Sequence, residues 1–242
     1  MNVLWVFAHP EPRSLSGALR DDGLRTLREL GHDVRESDLY AMKWNPVVGA
    51  ADFGAYEQDR LSPDIVAEHE KLRWADAVVV QFPLWWYGLP AILKGWFDRV
   101  FVKGFGYGVR GEDGRTLRYG EGRLAGKRAV VVLTAGAREP AMGPRGVNGA
   151  LADVLFPLHH GTLFYAGMSV LPPVPVFGAD RVSGEQFVKA RDLLRSRLRA
   201  LETTEPIPFR TQNSGDYDDD LVLRPDRAPG AEGLAVHLTR AG

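Results

Sequence analysis

Cysteine is absent from the 242 residues, which excludes disulfide staples, thiolate nucleophiles and thiolate metal sites. No apolar run approaches the ~20 residues of a membrane-spanning helix. The first strand-like run begins almost at Met1, so no stretch of signal-peptide type precedes it. Neither sign of charge dominates: 30 Lys and Arg stand against 31 Asp and Glu, a formal net charge of -1. That balance gives no global pull toward nucleic acid or an anionic membrane. The glycine fingerprint of dinucleotide folds, the P-loop lysine and internal repeats are missing too. These absences leave a cytoplasmic chain without membrane insertion or nucleic-acid partner as the expectation. What is present is a 45% hydrophobic composition, enough for one large domain with or without a smaller lobe.

Residues 2–8, NVLWVFA, form a short continuous apolar run, the pattern of a strand buried on both faces of a parallel sheet. A helix is predicted over 15–30, with Leu15, Ala18, Leu19, Gly23, Leu27 and Leu30 on one face and Gly31 as its stop. Residues 32–40 read as a second, more exposed strand, and 41–62 are irregular. Ser62 and Pro63 mark the start of the next helix. DAVVVQF is a third strand, and a helix follows from about Pro90 to Phe101. A glycine-rich excursion over 106–126 reads as a surface loop or short hairpin. KRAVVVLTAG and MSVLPPVPVF make the fourth and fifth strands, followed by helices over 148–167 and 183–201 respectively. From Thr203 the composition shifts toward Pro, Asp and Gly, so the division is a domain over 1–202 and a C-terminal extension over 203–242, packing on the domain or on a partner. Strand and helix alternate throughout, which predicts a parallel sheet covered by helices on both faces.

Ligands of such sheets bind beyond the carboxyl ends of the strands, at a topological switch point. The loops there read AHPEPRSLS, FPLWWYGLP and TAGAREPAMGPRGVNG. The first leads into a helix N-terminus with Ser14 and Ser16 at its start, a natural anion site to which His9 and Arg13 add positive charge. Caps of this kind are also common without any ligand. The second carries Trp85, Trp86 and Tyr87 where turns normally use Gly, Asn and Asp. Wide rings at the mouth of a sheet suit a wide flat ligand such as an isoalloxazine, or equally a core or subunit interface. The third has Thr134, Gly136 and Ala137, small enough for close backbone approach.

The run from Leu61 to Tyr107, LSPDIVAEHEKLRWADAVVVQFPLWWYGLPAILKGWFDRVFVKGFGY, resembles the signature core of the NAD(P)H:quinone acceptor oxidoreductases, the DT-diaphorase family. AHPEPRSLS, ESDLYAMKWNP and GLAVHL are similar to further segments of it. The resemblance implies a flavodoxin-like α/β fold, a doubly wound five-stranded parallel sheet with an irregular C-terminal lobe. It also implies a homodimer, FAD as prosthetic group, and two-electron reduction of a small quinone-like acceptor by NADH or NADPH in a ping-pong cycle. By position, His9, Ser14, Leu15 and Ser16 fall where the family holds the flavin phosphates and ribityl chain, with Ser16 in place of the usual Asn. Pro83, Leu84, Trp85, Trp86 and Tyr87 match the turn along the ring, with Trp85 for a common Gln. Thr134, Ala135, Gly136 and Ala137 match the loop at its pyrimidine side. Tyr107 and Tyr165 match substrate-pocket aromatics contributed in part by the second subunit.

Two departures stand out. Met142 and Asn148 occupy the positions of the family's Tyr and His, the catalytic pair at the flavin's reacting edge. Asn148 donates a hydrogen bond but transfers no proton at neutral pH, and Met142 does neither. Arg138, Arg145 or a backbone N–H is left to balance charge at the ring. The segment VVGAADFGAYEQDR is shorter than in longer relatives, which makes FMN the alternative cofactor. Alternative functions are reduction of a specialised aromatic, azo or nitro acceptor, and a non-catalytic flavin-holding ancillary subunit. No metal site is expected. His159 and His160 point about 100° apart on a helix, DYDDD lacks the spacing of a calcium loop, and the basic face from Arg191 to Arg199 reads as solvated.

Overall fold

The computed structural model describes residues 1–55 and 60–239. Residues 56–59 of the shortened segment and 240–242 of the extension lie outside the described residues. Six strand segments form one parallel sheet: β1 (Asn2–Phe7), β2 (Asp33–Asp38), β3 (Ala77–Pro83), β4 (Arg128–Ala135), β5 (Ser169–Val170) and β6 (Val174–Phe177). The order is β2-β1-β3-β4-β5, with β6 also on β4. The fifth predicted strand therefore arrives as two pieces. Pro172 and Pro173 offer no N–H to the ladder, yet both pieces lie along β4, β5 against Arg128 and Ala129 and β6 against Val132–Ala135.

Alternation along the strands divides the core into two layers. Leu4, Val6, Val78, Val80 and Phe82 face α2 (Pro63–Trp74), α3 (Ala91–Val100) and α4 (Leu151–Leu158). Val3, Trp5, Phe7, Val79 and Val132 face α1 (Leu15–Glu29) and α5 (Gly184–Arg199). Both faces of β1 and β3 are thus apolar, which explains their continuous hydrophobic runs. The buried face of α1 is rotated from the predicted one. Ala18 and Leu30 are exposed, while Asp22 and Thr26 are buried. Burial of Asp22 is compensated by a two-pronged bond from Arg195 of α5, at 2.7 Å from Nε to Oδ2. Arg195 is thus a tertiary clamp rather than part of a merely solvated basic face.

The helix predicted over 148–167 is not uniform. It is α-helical over Leu151–Leu158 and widens into a π-helical turn at His159–Phe164, just after Pro157. The irregular 41–62 region is pinned to α3 by Arg99, whose guanidinium donates to Asp64 Oδ2 at 2.7 Å, to the Asn45 carbonyl at 3.1 Å and to Asp52. The Ser62 hydroxyl accepts from Arg99 and makes no cap bond of its own. Beyond α5, the Ile207 amide donates to the Val170 carbonyl at 2.7 Å, and Phe209 packs among Phe156, His160 and Phe164. Asp216 is ion-paired with Arg210 and Arg227, so DYDDD is not wholly a solvated turn. Among the described residues no helix is long and apolar enough to cross a membrane.

Candidate active site

The sheet order reverses between β1 and β3, so the loops after these strands open on either side of one crevice. The β1 loop runs into α1, whose N-cap Ser14 accepts from the Gly17 amide at 3.1 Å. No acidic residue stands in the first turn of α1, leaving its positive end open to an anion. A Cβ at Gly17 would lie 1.9 Å from the Pro12 carbonyl oxygen, so only glycine lets the loop fold back on the helix. Nδ1 of His9 lies 3.1 Å from the Glu11 amide and 3.0 Å from its carbonyl, which leaves Nε2 for a ligand. Arg13 is drawn to Glu11 at 3.7 Å.

Ser16 plays a different part. Its side chain is buried, 3.1 Å from the Thr134 hydroxyl. Its carbonyl accepts from Gln81 Nε2 at 2.8 Å, and Gln81 Oε1 accepts from the Trp5 indole at 2.9 Å. Gln81 is fully buried and ties β1, β3 and the first turn of α1 together. Its signal in the sequence was a lone amide in VVVQFP. Gln81→Leu is expected to cost about 2 kcal/mol, because a buried indole N–H and a buried carbonyl lose their partners together; urea unfolding of the variant measures it.

The β3 loop has the most unusual backbone among the described residues. Trp85 and Gly88 exchange both amide–carbonyl bonds, at 3.2 and 3.0 Å. Between them Trp86 and Tyr87 have φ of 50° and 60°. This is the type I′ turn, whose two central positions normally hold Asn-Gly because side chains there are strained. Trp86 is 98% exposed, and Trp85 and Tyr87 about half so. The rings do not fill the core; they stand in the crevice mouth, with Trp85 6.3 Å from the His9 ring.

The β4 loop closes the third side. Thr134 and Ala135 are buried, and the Thr134 carbonyl accepts from the Leu84 amide at 2.8 Å. The Ala137 carbonyl accepts from Gly178 at 2.9 Å, and Asp180 Oδ1 lies 3.3 Å from where a Gly136 Cβ would be. Gly178 and Asp180 were missed by sequence reasoning, which had no local cue for them. Further on, the chain separates the two altered positions. Met142 is buried in the core, whereas Asn148 reaches the rim, where its Oδ1 accepts from the Tyr87 hydroxyl at 2.9 Å. Beside this rim lies an apolar cleft of about 690 Å3, lined among others by Leu84, Tyr87, Phe97, Phe101, Tyr107 and Tyr165. Tyr107 and Tyr165 therefore share one cleft with Leu84 and Tyr87, while His9, Ser14 and Thr134 stand outside it. Among the described residues no cluster of His, Asp and Glu could hold a metal ion. His159 and His160 are buried, and desolvation holds each imidazole down to about 4.

Comparison with known proteins fits this geometry. A family model described as flavodoxin-like fold matches residues 1–200. The chain belongs to that flavodoxin-like family. Its relatives within the family include a ribosyldihydronicotinamide dehydrogenase-like protein of Penicillium crustosum, 46% identical over 98% of this chain and 95% of the relative. NAD(P)H dehydrogenase [quinone] 1 of Rattus norvegicus is 35% identical over 89% of this chain and 83% of its own length. Among solved structures, a candidate quinone reductase from Klebsiella pneumoniae is 49% identical with a TM-score of 0.95, over 98% of this chain and 99% of that one.

Proposed function

We propose that the chain is a flavin-dependent NAD(P)H:quinone oxidoreductase. The observation that carries this reading is the strained turn at Trp86 and Tyr87, which presents exposed rings to the crevice between a helix N-terminus with no acidic residue in its first turn and a loop of small residues. Backbone strain at bulky residues persists where the rings serve a ligand. The residues fit a flavin: first-turn N–H groups of α1 and His9 Nε2 would hold its phosphates, Trp85, Trp86 and Tyr87 would hold its ring, and the small residues Thr134, Ala135, Gly136 and Ala137 would let the backbone approach it. The names of the relatives support the same assignment.

A flavin, when bound, would supply two-electron chemistry between NADH or NADPH and an acceptor, in the proposed ping-pong order. The protein contributes orientation and exclusion of water. Ser16, Thr134 and Gln81 keep the α1 start and the β4 loop in register, so the phosphate cradle and the ring platform are fixed to one another. With Asn148 in place of a proton-carrying side chain, solvent supplies the proton. FAD is the proposed form of the cofactor and FMN the alternative. A second copy of the chain, covering the cleft at Tyr107 and Tyr165, makes the proposed homodimer, with residues 203–242 as an extension of the 1–202 domain. A cytoplasmic location of the protein is part of the same proposal.

The purified protein is expected to show a flavin absorbance spectrum that bleaches with NADH or NADPH and recovers on adding 2-methyl-1,4-naphthoquinone. Mass analysis of the released cofactor decides FAD or FMN. A colourless protein that takes up neither flavin overturns the proposal.

A further inference from the structure

Four asparagines occur in the chain, and the residue that follows each one governs its chemical lifetime. Asn2 precedes Val3 in the buried strand β1 and donates to the Trp74 carbonyl at 3.0 Å. Asn45 precedes Pro46, which has no N–H to react. Asn213 precedes Ser214 and donates to Glu121. Asn148 is the one that precedes glycine, so no side chain crowds the approach of the next amide nitrogen to its carbonyl carbon. Gly149 is exposed at φ 78°, and a Cβ there would meet nothing within 4 Å. The Tyr87 hydroxyl donates to Asn148 Oδ1 at 2.9 Å. That places a donor on the oxygen that turns negative when the carbonyl is attacked. The Gly149 amide itself donates to the Gly146 carbonyl at 3.0 Å, and releasing this one loop bond slows an attack by only about fivefold.

We propose that Asn148–Gly149 is a site of self-modification, at which the native protein converts its own side-chain amide into a carboxylate and so unclasps two loops of the crevice. A solvent base takes the Gly149 amide proton as that nitrogen bonds to Asn148 Cγ. The tetrahedral carbon then expels the side-chain nitrogen, which leaves as ammonia with a proton from solvent, and a cyclic imide closes. Water adds to either imide carbonyl and opens the ring, giving aspartate or isoaspartate. The sum is one water consumed and one ammonia released, with nothing oxidised or reduced. In the isoaspartate product the main chain runs through the former side-chain carbon, and the free carboxylate sits one carbon nearer the backbone. It no longer reaches Tyr87, so the bond joining loops 61 residues apart is lost. Trp86 and Tyr87 stand in the turn that this bond holds. The consequence for a ligand rests on the proposed flavin reading: a freed turn holds the ring less firmly. The chemistry itself needs no flavin.

The test incubates the folded protein in mildly alkaline, ammonia-free buffer and follows the tryptic peptide 146–181, which contains Asn148. The peptide is weighed for the exchange of amide for acid and probed with an isoaspartate methyltransferase. Conversion is expected to run about tenfold faster than at Asn213, whose neighbour carries a side chain. It is expected to slow about fivefold in Tyr87→Phe, with the urea midpoint of that variant showing that it is folded. A free peptide of residues 144–153 reports the rate without Tyr87 or the Gly146 bond; the native protein is expected to match it, because the two fivefold effects oppose one another. Asn148→Gln, which would have to close a larger ring, is expected to keep its mass. The isoaspartate form, separated by ion exchange, is expected to bind FAD about fivefold more weakly in a fluorescence titration. An unchanged mass in the native protein, or conversion as fast in folded Tyr87→Phe as in the parent, overturns the proposal. Equal FAD affinity of converted and fresh protein overturns the unclasping. Conversion in a protein that takes up no flavin supports the self-modification and overturns the proposed function instead.

Discussion

Trp86→Asn is expected to make the cofactor-free protein more stable while weakening flavin binding roughly five- to 150-fold. The two effects have separate origins. Trp86 sits at φ 50° with its side chain 98% exposed, so the ring gives the folded state strain and almost no packing. The left-handed region costs a bulky residue about 1–2 kcal/mol, and Asn is among the few side chains that tolerate it. Asn is also the residue that type I′ turns prefer at this first central position. The urea midpoint of the apoprotein is therefore expected to rise by the equivalent of about 1 kcal/mol. Stacking of a flat heteroaromatic on a side-chain ring contributes about 1–3 kcal/mol by truncation, which sets the expected loss in flavin affinity at roughly five- to 150-fold. A fluorescence titration with FAD measures it. A fall in apoprotein stability is the outcome that assigns the ring to packing, and unchanged flavin affinity removes its stacking role.

The contrast between loop and core explains what could be read in advance. Apolar runs such as VVVQF and AVVVLTA occur because both faces of β1, β3 and β4 are covered, so strand positions and the parallel sheet were legible from pattern alone. The three loops followed, because in a parallel sheet they converge by topology. Features that depend on a distant partner were not legible. Asp22 and Arg195 lie 173 residues apart, and without the arginine the acid has no reason to be buried; the predicted α1 face accordingly missed it. The pairing of Tyr87 with Asn148 has the same character. Pro172 and Pro173 do announce a gap in a strand, but not that both flanks stay on the same edge of β4. Met142 and Asn148 were placed together by alignment to one pair of positions, and the loop between them turns one inward and the other out.

Acid is expected to unfold the protein through His159 and His160. Both are buried in the π-helical turn after α4, and desolvation lowers each from the ordinary histidine value of 6.5 to about 4. His160 is stacked between Phe156 at 4.6 Å and Tyr119 at 4.8 Å, with Phe209 and His237 of the extension closing over it. The like charge that His237 would carry also disfavours a proton there. Nε2 of His159 has no hydrogen-bond partner among the described residues, so a proton added to it would be buried unpaired. The sign follows from proton counting. Between pH 6.5 and 4 the unfolded chain holds protons on these rings that the folded chain does not, so stability rises with pH across that window. Their contribution is complete above pH 6.5 and is lost as pH falls toward 4, by about 2 kcal/mol per ring at pH 5 and roughly 3 at pH 4. His160→Phe keeps an aromatic disc in the stack and removes one of the two titrations. The difference in urea midpoint between pH 7 and pH 4.5 is therefore expected to shrink by about half in that variant. Phe209 and His237 lean on the same ring, so limited proteolysis at pH 4.5 is expected to cut residues 203–239 of the parent protein sooner than those of His160→Phe. An identical acid midpoint in the two proteins would mean that other groups, such as the carboxylates Asp22 and Asp216, both held below their ordinary values by arginine partners, govern the acid limit instead.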